Sequence, residues 1–167
     1  MDGPVGLTLT GQLGEVMKES AQIALSYLRS HADEHGIDPA TLARAVHLHV
    51  PAGAVPKDGP SAGVTMVTAL ASFALGVPVR SDVAMPGEVT LNGRVLPIGG
   101  VKQKLLAAQR AGIKTVSVPK RNEPDLDDVP AAVLAALEVR TVADVSEILE
   151  YALDIARDVH HEQEHAA

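Results

Sequence analysis

The segment "EVTLNGRVLPI", residues 88–98, constrains the fold more than any other part of the sequence. It places Asn92 and Gly93 between two runs of β-prone residues, and this pair is preferred in two-residue hairpin turns. Elsewhere, strand-like and helix-like segments alternate, which is typical of helices that connect parallel strands. Because a hairpin interrupts this alternation, the sequence predicts an α+β fold with a mixed sheet, a β-hairpin and flanking helices.

The spacing of apolar residues and the residues at segment ends predict the other elements. Strands are expected at residues 7–10, 45–50, 114–119 and 138–142. Helices are expected at residues 13–36, 61–75, 101–111 and 145–159, with two short ones after Asp38 and Pro130. Asp38 is a suitable N-cap because its side chain can accept a bond from a free backbone N–H. The proline-containing segments 51–60 and 119–124 are expected to be surface loops.

Composition limits the functions open to the chain. Its 167 residues suit one domain, predicted over residues 1–156, with a flexible acidic and histidine-containing tail at 157–167. Only 2% of residues are aromatic and the net charge is -7, so no nucleic-acid surface is expected. The absence of cysteine excludes disulfides and thiolate nucleophiles. With no membrane-spanning run and no signal sequence, the chain is predicted to be soluble and cytoplasmic.

The stretch "PKDGPSAG", residues 56–63, places Ser61 directly before a helical segment. Serine is favoured at helix starts as a cap, which is the simpler interpretation. Alternatively, Ser61 is a nucleophile, since Gly59 permits unusual backbone angles and Ala62 leaves the hydroxyl uncrowded. The backbone N–H groups of Gly59, Ser61 and Ala62, near the positive end of a helix dipole, are then candidate oxyanion donors. The local sequence leaves both interpretations open.

A serine nucleophile requires a base, and the candidates are Lys57, His47 or His49, and the lysines of a later helical segment. In "GGVKQKLLAAQRAG", residues 99–112, Lys104 lies at the edge of the predicted apolar helix face, whereas Lys102 points away from it. Partial desolvation favours the neutral form of an amine, so Lys104 is the candidate base. The alternative is a lysine whose stem covers apolar surface while its head group stays in water.

His47 and His49 lie on one face of the strand-like segment "AVHLHV". They are alternative bases for Ser61. A pair at this spacing can also bind a metal, but the sequence defines no third ligand. A hydrogen-bonded strand face is therefore favoured, and no metal site is predicted.

The glycines and lysines of "IGGVKQK" do not form a nucleotide-binding P-loop. Val101 separates the last glycine from Lys102, and no Ser or Thr follows the lysine. No cofactor is expected in this chain.

Four stretches together strongly resemble the proteolytic domain of bacterial ATP-dependent Lon proteases. They are "LTLTGQLGEVMKES", "HLHVPAGAVPKDGPSAGVTM", "GVPVRSDVAMPGEVTLNGRVLPIGGVKQKLLAAQRAGIKTV" and "EVRTVADVSEILEYAL". They run from Leu7 to about Leu153, in the order and at the spacing of the family. The pair "PKDGPSAG" and "LPIGGVKQKLLAA" is a specific signature of that family.

The resemblance implies a serine endopeptidase with a Ser-Lys dyad, in which Ser61 is the nucleophile and Lys104 its base. Asp58 and Glu88 lie in the matching motifs and are expected to shape the loop and the surroundings of the lysine. Family members degrade unfolded or misfolded proteins in protein quality control, as ATP-dependent and typically hexameric enzymes. We therefore expect protein or peptide substrates and a homo-oligomer, with ATP and Mg²⁺ confined to an ATPase module that is absent from this chain.

The sequence departs from the family pattern in two further respects. Related domains usually begin earlier, with tryptophan-containing strands, so part of the sheet and of the substrate groove is expected to be missing. Pro86 stands where the family usually has a threonine, whose hydroxyl is expected near the catalytic lysine. Both departures favour an alternative, a catalytically silent assembly or substrate-binding module. A further alternative is a hydrolase that uses Ser61 with His47 or His49 and Asp58.

Overall fold

Short strands and helices alternate along residues 6–153, the part of the chain that the computed structural model describes. The helices are α1 (Glu15–Ser30), α2 (Pro39–Leu42), α3 (Gly63–Leu75), α4 (Val101–Arg110), α5 (Ala131–Ala136) and α6 (Val145–Ala152). The strands are β1 (Leu7–Thr10), β2 (Val46–His49), β3 (Val83–Ala84), β4 (Glu88–Val89), β5 (Val95–Leu96), β6 (Thr115–Pro119) and β7 (Glu138–Val142). Two 3₁₀ segments cover Asp33–His35 and Lys120–Asp128. Over this range, no helix combines the length and the apolar character that a membrane crossing requires.

The strands form three small sheets. Strands β1 and β2 pair in parallel, and β6 lies between β3 and β7 with both pairings parallel. Strands β4 and β5 form an antiparallel hairpin. The predicted α+β class is confirmed, because an antiparallel hairpin, inserted in the chain between β3 and β6, occurs together with two sets of parallel strands.

Two clusters of buried apolar side chains form the interior. The larger cluster packs α1, α3 and α6 together around residues such as Leu28. The smaller cluster packs α4 and α5 against β6 and includes Leu105. The hairpin contributes Val89 and Val95 to the larger cluster, and Ile98, which follows the hairpin, belongs to the smaller one. The segment around the hairpin therefore connects the two packing units.

Local signals at segment ends predicted several boundaries correctly. The Asp38 carboxylate caps α2 by accepting a hydrogen bond from the Ala40 N–H at 2.9 Å. Helix α3 ends at Gly76, whose φ of 68° is in the left-handed region that glycine adopts without strain. These features depend on neighbouring residues, which is why the sequence reveals them.

Other predicted boundaries are wrong. The helix expected over 13–36 ends at Ser30 and is followed by a 3₁₀ turn. The helix expected from 61 begins at Gly63. The helix expected over 145–159 is helical over Val145–Ala152, while the rest of that range beyond 153, like the tail at 157–167, lies outside the described residues.

The segment predicted as a loop over 119–124 is largely a 3₁₀ helix. Its buried side chain, Asn122, makes two hydrogen bonds with the backbone of Ile98. The Ile98 N–H donates to Asn122 Oδ1 at 2.9 Å, and Asn122 Nδ2 donates to the Ile98 carbonyl at 2.8 Å. This distant anchor orders a segment that its prolines and charges alone predict to be irregular.

The hairpin is present, but its turn differs from the prediction. The Gly93 N–H donates to the Thr90 carbonyl at 3.0 Å, and the Thr90 N–H donates to the Arg94 carbonyl at 3.0 Å, so three residues form the loop. Gly93 has a φ of 83°, whereas Asn92 does not have the positive φ that a two-residue type I′ turn requires. The Tyr27 ring packs closely against this turn, because a Cβ on Gly93 would lie 2.6 Å from Tyr27 Cε2, so only glycine fits here.

Candidate active site

The loop that leads to Ser61 is held against the start of α1. The Gly14 N–H donates to the Lys57 carbonyl at 2.7 Å, and the Lys57 N–H donates to the Gln12 carbonyl at 2.9 Å. Lys57 Nζ also donates to the carbonyl groups of Ala52 and Val55, at 2.8 and 2.7 Å. Lys57 therefore closes the loop on itself and attaches it to α1, so its ammonium is not directed at Ser61.

Asp58 supplies the cap that α1 lacks. The residue at the N-cap of α1 is Gly14, which has no side chain. Asp58 Oδ1 accepts hydrogen bonds from the Met17 N–H at 3.0 Å and from the Gly59 N–H at 2.9 Å. A Cβ on Gly14 would lie 2.2 Å from Asp58 Oδ2, so only glycine allows this approach. The Gly59 N–H is occupied by this bond, so the N–H groups of Ser61 and Ala62 are the predicted donors that make no hydrogen bond within residues 6–153.

Ser61 lies outside α3 and does not cap it. The N-cap is Ala62, and no side chain caps this helix end. The Gly87 N–H donates to the Ser61 carbonyl at 2.9 Å, and the Val64 N–H donates to the Gly87 carbonyl at 3.1 Å. This pairing with the chain before β4 keeps Ser61 out of the helix. Ser61 is half-buried, and its hydroxyl has no hydrogen-bond partner within residues 6–153.

Glu88 lies beneath the start of α3. Glu88 is buried, with 8% of its surface exposed. Oε2 accepts from the Ser20 hydroxyl at 2.8 Å, and Oε1 accepts from the Val89 N–H at 3.0 Å. A Cβ on Gly63 would lie 1.8 Å from Glu88 Oε1, so the carboxylate lies directly against the first residue of α3.

Helix α4 carries the candidate base. Lys104 is half-buried and Lys102 is exposed, as the helix periodicity predicted. Gly100, with a φ of 70°, caps the helix. Lys104 Nζ donates to the Gly99 carbonyl at 3.2 Å, so the ammonium group turns back towards the start of its own helix.

The β4–β5 hairpin connects the two candidate catalytic residues. Gly87, which bonds to the Ser61 carbonyl, directly precedes β4, and β5 is followed by residues 97–100 and α4. Among the described residues, no hydrogen bond joins Ser61 to Lys104, and the bond found for Lys104 Nζ goes to the Gly99 carbonyl. The structure therefore attaches both residues to one hairpin without pairing them.

Pro86 lies in the chain that crosses the start of α3. Its neighbours bond to that region on both sides, since the Met85 carbonyl accepts from Thr65 Oγ1 at 3.4 Å and the Gly87 N–H donates to Ser61. Pro86 itself is half-buried. Its influence on Lys104 stays a prediction.

The two strand histidines share a partner that is not Ser61. Both are exposed, and Thr10 Oγ1 lies 2.9 Å from His47 Nε2 and 2.8 Å from His49 Nδ1. Asp58 bonds to backbone N–H groups, so within residues 6–153 no hydrogen bonds assemble a Ser-His-Asp arrangement. The described residues also contain no group of three or more His, Cys, Asp or Glu side chains that could hold a metal.

An aromatic cluster supports the tip of the hairpin. Tyr27 packs on Gly93, stacks on His31 with ring centroids 4.5 Å apart, and lies 2.8 Å from His35 Nε2 through its hydroxyl. Burial, followed by the charges of Asp144 and then Glu34, raises the pKa of Tyr27 to about 12. Burial also lowers the pKa of His35 below its ordinary value. The hairpin tip therefore packs against a cluster in which the shifted pKa values of Tyr27 and His35 favour the neutral side chains.

The sequence did not identify Ser20 as part of this region. Ser20 lies in the middle of α1, where serine carries no motif signal, and its partner Glu88 is 68 residues away. The only local hint is a polar side chain on the apolar face of an amphipathic helix, three residues after Met17 and one before Ala21.

Comparison with known proteins agrees with the resemblance seen in the sequence. Residues 1–155 match the family model of the Lon protease (S16) C-terminal proteolytic domain. The chain is 70% identical to a Lon protease of Mycolicibacterium smegmatis over 157 residues, which cover 94% of the chain and 20% of that protein. It is also 70% identical to a Lon protease of Salinispora arenicola over 154 residues, or 92% of the chain and 20% of that protein.

A more distant relative gives the same result. The chain is 59% identical to a Lon protease of Chloroflexus aurantiacus over 154 residues, which cover 92% of the chain and 19% of that protein. The chain thus spans about a fifth of the length of these relatives. Since the match extends over nearly all of its residues, the chain belongs to the family of Lon protease C-terminal proteolytic domains.

Proposed function

We propose that the chain is the peptidase part of an ATP-dependent Lon-type enzyme and that it hydrolyses peptide bonds with a Ser-Lys dyad. The observation that carries this proposal is the position of Ser61. Its hydroxyl lies just before α3, does not cap that helix and has no partner within residues 6–153. A hydroxyl at a helix start is available for attack, and the helix dipole favours negative charge beside it.

In the proposed reaction, Lys104 is the general base. Its Nζ leaves the Gly99 carbonyl by side-chain rotation and, in its neutral form, takes the proton of Ser61 Oγ as the Oγ–carbon bond forms. The N–H of Ala62 stabilises the oxyanion. Collapse breaks the carbon–nitrogen bond of the peptide, and Lys104 gives its proton to the leaving amine. A water molecule, activated in the same way, then releases the acyl group and restores the Ser61 hydroxyl.

The substrates that fit this proposal are unfolded or misfolded protein segments. The enzyme would work as a homo-oligomer, a hexamer as the resemblance implies, in the cytoplasm. None of the proposed steps uses a nucleotide, and the stretch at residues 96–104 lacks a P-loop. ATP and Mg²⁺ would therefore act through an ATPase module outside the matched residues, and peptide hydrolysis by this chain is expected to be independent of ATP.

A serine-directed fluorophosphonate probe tests the dyad. We expect covalent labelling of the chain, no labelling of Ser61→Ala, and strongly reduced labelling of Lys104→Ala. Lys102→Ala is the matched control, because it removes an exposed lysine from the same helix and should leave labelling unchanged. Labelling that depends on Lys102 and not on Lys104 would show that the base is wrongly assigned.

The hydrogen bond from Lys104 to Gly99 favours a second candidate function, a catalytically silent assembly or substrate-binding module. This candidate predicts that an unfolded protein binds to the chain while the probe does not react with Ser61. A labelled Ser61 would exclude it.

A further inference from the structure

Glu88 is the one charged residue among the buried side chains of residues 6–153. A buried carboxylate is costly unless hydrogen-bond donors satisfy it. Two donors do so here, the Ser20 hydroxyl on α1 and the backbone N–H of Val89 on β4. Ser20 Oγ also lies 3.0 Å from the Val16 carbonyl in its own helix. Removing Ser20 would leave the carboxylate with a single backbone donor.

The carboxylate lies where three elements meet. Ser20 belongs to α1, Glu88 to β4, and Gly63, which the carboxylate touches, is the first residue of α3. The N-terminal end of a helix favours a negative charge. The carboxylate is therefore attracted to the start of α3, and Ser20 determines where it can lie.

The contact between Glu88 and Gly63 is connected to Ser61 in two ways, along the chain and through backbone hydrogen bonds. Gly63 follows Ser61 by two residues, and Gly87, directly before Glu88, bonds to both Ser61 and Val64 through its backbone. A shift of Glu88 would move the start of α3 relative to the hairpin. The hairpin leads into α4, so such a shift would change the distance between Ser61 and Lys104.

We propose that Ser20 is a positioning residue for the nucleophile, acting through the Glu88 carboxylate. This inference rests on the proposed peptidase function. Ser20 holds Glu88 against Gly63 and so fixes Ser61 relative to the hairpin that carries the base. Because Ser20 touches neither Ser61 nor Lys104, its effect is on the alignment of the reacting groups and not on the chemistry of either.

The test compares Ser20→Ala with the unmodified chain. Loss of one hydrogen bond to a charged group is expected to slow probe labelling of Ser61 about tenfold. In peptide hydrolysis, kcat should fall while KM stays the same, since neither Ser20 nor Glu88 is proposed to contact the substrate. Ser20→Thr, which keeps the hydroxyl, should recover most of the rate. Glu88→Gln keeps the size of the side chain and should slow labelling as Ser20→Ala does.

Thr68→Val is the matched control. Thr68 is buried on α3, and its hydroxyl donates to the Val64 carbonyl at 2.9 Å without touching Glu88. We expect this variant to lower the melting temperature and to leave the labelling rate of the folded protein unchanged. If Ser20→Ala and Glu88→Gln label at the rate of the unmodified chain, the positioning role is wrong although the dyad stands. If the unmodified chain does not label, both proposals fail.

Discussion

Asp58 accepts a hydrogen bond from the Met17 N–H at 3.0 Å, so a residue of the loop that leads to Ser61 caps a helix whose bonded residue lies 41 positions earlier in the sequence. The same oxygen accepts the Gly59 N–H. Helix α1 and the approach to Ser61 therefore share one carboxylate, and a change at Asp58 acts on both.

Asp58→Ala should reduce both stability and the reactivity of Ser61. Loss of an N-cap carboxylate typically costs about 1 kcal/mol, and the freed Gly59 would let the loop before Ser61 move. Asp38→Ala is the matched control because Asp38 caps α2, which is away from the loop. Thermal melts and probe labelling should show lower stability in both variants but slower labelling in Asp58→Ala alone. Equal labelling rates in the two variants would mean that Asp58 is only a cap.

The strand histidines should prove dispensable for the chemistry. His47 and His49 are exposed and bond to Thr10 Oγ1, and neither makes a hydrogen bond to Ser61. We expect His47→Gln and His49→Gln to label at nearly the rate of the unmodified chain. A variant that keeps its circular dichroism spectrum and loses labelling would assign the base to that histidine.

Pro86→Thr should increase the reactivity of Ser61. Proline offers neither a hydroxyl nor a backbone N–H, whereas threonine would add a hydrogen-bonding group beside the start of α3. If that hydroxyl orients Lys104, one hydrogen bond corresponds to roughly a threefold to tenfold faster reaction. Second-order labelling rates of both proteins measure this directly. A lower melting temperature with an unchanged rate would mean that Pro86 only shapes the chain before the hairpin.

Mild acid should weaken the fold through His35. Burial lowers the pKa of His35, so the folded state prefers the neutral ring, to which the Tyr27 hydroxyl can donate. His31 adds to this effect, while Glu34 and Asp144 oppose it. The stabilisation is complete above the pKa of an unfolded histidine, about 6.5, and is lost as the pH falls below that value.

Urea unfolding at about pH 7.5 and pH 5.5 measures this contribution. His35→Gln should lose less stability between these conditions than the unmodified chain. The exposed His49 provides the control, and His49→Gln should behave like the unmodified chain. An unchanged pH dependence in His35→Gln would contradict the assignment.

Features that depend on nearby residues could be predicted from the sequence. Asp38 and Gly76 mark helix ends through their own side chain or backbone, and the β-branched residues of the segment 114–119 indicate strand β6. The choice of Lys104 over Lys102 as the less exposed lysine also needed only helix periodicity. These inferences require no knowledge of the rest of the fold.

Features that depend on distant contacts could not be predicted in this way. The start of α3 is set by Gly87 pairing with Ser61, and the hairpin turn is set by Tyr27 packing on Gly93. Ser20 meets Glu88 across 68 residues of sequence. Such contacts form only when the chain has folded, so the local sequence around each residue does not predict them.

Ser61 and Lys104 belong to different packing units. The residues after Ser61 pack into the larger cluster, whereas α4 packs into the smaller one. Regions with less buried apolar surface open more readily in native-state hydrogen exchange. The amides of α4 should therefore exchange faster than those of α3, and moderate heating would move Lys104, the proposed base, while Ser61 stays in place. The proposed peptidase activity would then be lost through a local and reversible event, the opening of α4, that precedes melting of α3.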